Sequence, residues 1–157
     1  MGFAAHLRYH WMENIVYKPF KVIALMLMGG FQPEQAFIVH FIAISIGTLV
    51  TGSGPHAGDI DAPRLNFAIT TIARVHSASV WLLMIVSIFF LLRKNLNFET
   101  KRWLRVFVAL AIGQGALGYI QYFLGVPEGL VVLHLLGSVL VWIAAWRVRL
   151  SVVRKPA

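Results

Sequence analysis

The chain has 157 residues, 59% of them hydrophobic and 13% charged, with a formal charge of +8 and no cysteine. That composition excludes a water-soluble domain as the main body of the chain, and the missing cysteines exclude disulfides, thiolate metal sites and cysteine redox chemistry within it. Lys and Arg lie in short flanks between apolar runs and do not form one patch, so the charge reads as membrane topology and no nucleic-acid partner is expected.

At roughly 20 apolar residues per crossing, the chain has room for about four spanning helices with short loops. The expectation is an all-α integral membrane four-helix bundle. A leader, residues 1–35, comes first. Its opening MGFAAHLRYHWMEN has no apolar core behind the basic residues, so no cleavable signal peptide is expected, and His6 and His10 read as solvated. Residues 22–28 are apolar, but Lys18, Pro19 and Lys21 introduce them and Gly29 and Gly30 end them. This stretch is too brief to cross, and it reads as interfacial or as the remnant of a longer chain.

Span one, residues 36–51, is short and carries His40 near its leader end. The connection TGSGPHAGDIDAPRLN follows. It is rich in glycine, stiffened by Pro55, and presents His56, Asp59 and Arg64; it is no P-loop, since G-K-[ST] is missing. It reads as a lid, with a tight turn capping the bundle as the alternative. Span two, residues 67–92, holds His76 in ARVHSAS and ends in a basic connection with Arg93, Lys94, Lys101, Arg102 and Arg105. Span three, residues 104–124, carries Gln114 and Gln121, seven apart and so on one helical face with Leu117 and Gly118. Its GQGALG matches G-x-G-x-x-G formally, but inside an apolar run with no preceding strand it reads as helix packing. After GVPEG, span four, residues 129–148, holds His134 in VVLHLLGS, and a basic tail, residues 150–157, closes the chain.

Basic residues cluster before span one, between spans two and three, and after span four. The other two connections carry Asp59, Asp61 and Glu128 against Arg64 alone. The chain is therefore expected in the cell membrane as a multi-pass protein with both termini cytoplasmic.

On that topology spans two and four are parallel. His76 lies nine residues beyond Phe67 and His134 seven beyond Pro127, or about 14 and about 10 Å below the outer face at 1.5 Å per residue. An imidazole in hydrocarbon is costly without a partner. Two at similar depth on facing helices are placed to hold the iron of a flat macrocycle, near the outer face. Haem is the expected ligand, because a zinc site would need further ligands that neither span offers. Ala73 and Ser79 beside His76, and Gly137 and Ser138 beside His134, leave room for a ring. Gln114 and Gln121 are placed to hydrogen-bond a cofactor edge or to tie helices together, and Arg64 or Arg74 to meet a propionate. The alternative for each histidine is a hydrogen bond across helices. His40, at the opposite end, reads as structural or interfacial.

VTGSGPHAGD, then R-x-H in IARVHSAS, then GQGALGYIQYFLGVPEGLVVLHLLGS, occur in that order from about Thr48 to Trp142, and this pattern resembles the second half of haem A synthase. Members of that family are built as two similar four-helix bundles. The resemblance implies that His76 and His134 are axial ligands of a haem b and that His56 belongs to its outer loop. It also implies that the chain serves the oxidation of haem O to haem A for terminal oxidases by passing electrons. The family's first bundle, with its substrate-haem histidines, membrane glutamate and outer cysteine pair, has no counterpart here. This leaves a separately encoded second half, a fragment of a split gene, or a subunit that pairs with a second copy or with a first-half four-helix subunit. The expected function is that of a haem A synthase-type oxidoreductase component binding haem b. Its alternatives are a non-catalytic haem-binding electron-transfer or haem-handling module, and a cofactor-free structural bundle.

Overall fold

The computed structural model describes residues 36–55, 61 and 63–153. The leader, with His6 and His10, lies outside the described residues, as do His56 and Asp59 of the first connection. Four helices carry the described chain: α1 Ala36–Ser53, α2 Ile69–Leu92, α3 Phe98–Phe123 and α4 Glu128–Val153. Each is long and apolar enough to cross a membrane. Their outward faces are apolar as well: Ile38, Trp81, Ile85, Ile112, Leu136 and Ile143 are each at least half exposed. Such a surface is stable in lipid, where the backbone groups satisfy one another inside each helix. The chain is an all-α, multi-pass membrane bundle.

Local chemistry sets the helix ends. The third apolar run begins at residue 104, yet α3 starts at Phe98, because Asn97 caps it: Thr100 N–H donates to Asn97 Oδ1 at 2.8 Å. At its other end Gly125 adopts φ +75°. There the Gly125 N–H donates to the Tyr122 carbonyl at 3.3 Å and the Val126 N–H to the Gln121 carbonyl at 2.8 Å. This is a Schellman turn, which glycine enters without a Cβ penalty. Val126 follows with φ 61°, an uncommon conformation for a β-branched residue. Pro127 then directly precedes α4, its carbonyl accepting from the N–H groups of Leu130 at 3.0 Å and Val131 at 3.1 Å. The helix continues to Val153, so residues 150–153, the start of the basic tail in the sequence, extend it. In the longer first connection the chain turns back on α1, the Leu65 N–H donating to the Gly52 carbonyl at 3.0 Å.

Contacts are densest within two hairpins, α1 with α2 and α3 with α4; sparser ones between α2 and α3 and between α1 and α4 close the ring. The histidine helices α2 and α4 therefore stand on a diagonal. Packing is uneven along the axis. Phe90, Leu104, Phe107, Val141 and Ala144 are buried, and all lie in the half formed by the start of α1, the end of α2, the start of α3 and the end of α4. In the half nearer the 53–69 connection, Val131 and, close to the midpoint, Ala111 are the buried hydrophobic residues among those described. One half is a close-packed core, and the other is loose.

Candidate haem site in the loosely packed half

His76 and His134 both fall in the loose half. His76 is seven residues beyond Ile69, the first of α2, and His134 six beyond Glu128, the first of α4. At 1.5 Å per residue these are depths of about 10 and about 9 Å. Both side chains are half-buried.

Each ring rests on a glycine of the preceding helix. A Cβ on Gly47 of α1 would stand 3.0 Å from His76 Cε1, and a Cβ on Gly118 of α3 would stand 3.1 Å from His134 Cε1. The two hairpins thus repeat one device, a glycine on the first helix receiving the imidazole of the second. The resemblance stops at the ring nitrogens. His76 Nδ1 is 3.0 Å from the Ala43 carbonyl, which accepts only, so Nδ1 carries the proton and Nε2 of the neutral ring keeps its lone pair. A backbone carbonyl holding the far nitrogen is the usual support for a metal-binding histidine. His134 Nδ1 is buried and has no hydrogen-bond partner.

The remaining residues singled out in the sequence separate. Gln114 Nε2 donates to the His134 carbonyl at 2.6 Å, and its amide fills the space over Gly137, where a Cβ would meet it at 2.6 Å. The gap at Gly137 thus seats Gln114 and leaves no room there for a ring, and Gln114 ties α3 to α4. Ser79 and Ser138 return their hydroxyls to carbonyls of their own helices, at His76 and Leu135. Gln121 Oε1 is buried with no hydrogen-bond partner. Arg74 is exposed, away from His76, as their spacing requires. Arg64 Nη2 donates to the Pro55 carbonyl at 3.3 Å and so braces the first connection. In GQGALG, Gly118 does pack a helix, but Gly113 and Gly115 have nothing within 4 Å of a would-be Cβ.

Several contacts were not foreseen. Gly47 and Ala43 carry no polar side chain and showed no signal beyond a glycine inside a short span. Tyr119 links the hairpins: its hydroxyl is 2.8 Å from Ser77 Oγ and accepts from Trp81 Nε1 at 3.1 Å. Ser77 and Tyr119 directly follow His76 and Gly118, so this polar clasp lies beside both histidine seats. At the opposite end His40 is buried, with Trp142 stacked on it at 5.7 Å and Phe107 edge-on at 5.4 Å. Neither of its nitrogens has a hydrogen-bond partner.

Among the described residues no three His, Cys, Asp or Glu side chains come together. Two imidazoles fall short of a tetrahedral zinc site, but they suffice for a porphyrin iron that brings four nitrogens of its own. Comparison with protein-family models, with curated proteins and with solved structures found no match to the chain.

Proposed function

We propose that this bundle binds haem b between His76 and His134 and serves as the electron-carrying component of a haem A synthase-type oxidation of haem O to haem A. The observation that carries the reading is the pair of half-buried imidazoles on diagonal helices, each seated on a glycine in the loosely packed half, with His76 Nε2 left free. Two features support the fit: each helix of the diagonal pair carries one half-buried imidazole against a glycine, and few hydrophobic side chains are fully buried in the half around them. Bound there, the haem iron would take up and release single electrons.

The chain's own residues hold and orient the site. The Ala43 carbonyl fixes the tautomer of His76, Gly47 and Gly118 set the approach of the rings, and Gln114 pins the α4 backbone at His134. Arg64 and Arg74 are the cations at the 53–69 end, where the propionates of a haem held by the two histidines would lie. On the positive-inside pattern this end faces out of the cell and both termini are cytoplasmic. A first-half four-helix subunit or a second copy would supply what oxidation requires.

One observation favours a purely haem-carrying role for the isolated chain. The acidic residues of the described helices, Glu99 and Glu128, stand in first turns at the membrane boundary, so the helix interiors offer no carboxyl group for proton transfer.

The test is the absorption spectrum of the purified protein in detergent with haem b. A low-spin bis-histidine spectrum that His76→Ala or His134→Ala abolishes is the expected result. An unaltered spectrum in both variants, or no binding by the wild type, overturns the site and leaves a cofactor-free bundle. Conversion of haem O by the chain, alone or with a four-span partner, then separates the oxidase component from the carrier.

A further inference from the structure

Two buried polar atoms of complementary chemistry stand unpartnered on neighbouring helices: His134 Nδ1 on α4 and Gln121 Oε1 on α3. Gly118, against which the His134 ring lies, is one turn from Gln121, and a Cβ on Gly118 would be 3.7 Å from His134 Nδ1. Side chains three apart on a helix begin about 5–6 Å from one another, so the Gln121 side chain, several bonds long, spans that gap. On α1 and α2 the equivalent nitrogen, His76 Nδ1, is already held by the Ala43 carbonyl. The corresponding carbonyl on α3 belongs to Gln114, four residues before Gly118 as Ala43 is before Gly47.

We infer that Gln121 is the positioning residue for His134: in the haem-loaded protein its Oε1 accepts the Nδ1 proton, leaving Nε2 bare toward the iron. This rests on the haem reading above. An unpaired buried donor and acceptor are each costly, and one bond relieves both. A hydrogen-bonded Nδ1 makes the imidazole a stronger base and favours the more highly charged ferric iron.

The experiment is redox titration of the haem-loaded protein, followed optically, with the low-spin electron paramagnetic resonance spectrum recorded in parallel. Gln121→Met removes the acceptor at similar length. It is expected to retain haem but to weaken the ferric-over-ferrous preference by about tenfold, an upward shift of about 59 mV for one electron. Gln121→Glu keeps an acceptor and is expected to hold the potential at or below that of the wild type. Unchanged potential and resonance spectrum in haem-loaded Gln121→Met overturn the inference while leaving the haem site standing. Should the Met variant not accumulate, a Glu variant with a raised potential overturns it equally. A wild-type protein that takes up no haem removes the site and this inference together.

Discussion

At the scale of single residues, glycines with identical side chains do opposite work. Gly47 receives an imidazole at 3.0 Å from its would-be Cβ, whereas Gly113 faces open space. Replacing a helix-interior glycine by alanine gains up to about 1 kcal/mol of propensity, while crowding a tight contact costs about 1–3 kcal/mol. Gly113→Ala is therefore expected to raise the thermal midpoint in detergent. Gly47→Ala is expected to leave it flat or lower it and, on the haem reading proposed above, to reduce haem retention because the His76 ring is displaced; equal gains from both would rule out the seat. His40 poses a different question. Its two unpartnered nitrogens sit in an aromatic cage, and replacing a buried unsatisfied group by an apolar one of similar shape is near neutral or stabilising. His40→Phe should thus melt no lower than the wild type and, on the haem reading proposed above, leave the haem spectrum unchanged; a loss of several degrees would mean that His40 has a polar partner.

The helices themselves were legible because each is a long apolar run with basic or turn-forming flanks. Their ends were less so. Hydropathy marks where lipid begins, and α3 extends past that boundary on the strength of one asparagine cap. Asn97→Ala is expected to cost about 1 kcal/mol, seen as fraying of residues 98–100 in amide exchange with the bundle otherwise intact. The turn from α3 to α4 depends on Gly125 at φ +75°. Gly125→Ala puts a side chain into the left-handed region and should cost about 1 kcal/mol. An alanine variant as stable as the wild type would show that this turn does not set the α3–α4 hairpin.

Across the whole molecule, the sequence placed two histidines at similar depth, and the structure finds them in the same half of the bundle. What it concealed was how the surroundings are shared out. Gln114 reads from the sequence as a cofactor contact or as a tie between helices, and only the structure, by giving its amide to the His134 carbonyl, shows the tie. The glycine seats were hidden for a related reason: a seat is a relation between two helices, and one strand of letters does not carry their rotation. The unequal packing of the two halves leads to a further expectation. Backbone amides near Phe90, Leu104 and Ala144 should exchange slowly with or without added haem, while those around His76 and His134 should, on the haem reading proposed above, slow only when haem is added. Uniform protection in the haem-free protein would contradict a loose receiving half.

The buried aromatic and aliphatic side chains at one end make the bundle resemble a clothes-peg, with its fulcrum there and two jaws that the Tyr119 clasp holds together at the other. A peg can release what it grips without coming apart. By the same logic, if the bundle holds a porphyrin as proposed above, its exchange would need the clasped end to open while the fulcrum keeps the four helices registered, and would not require dismantling the host.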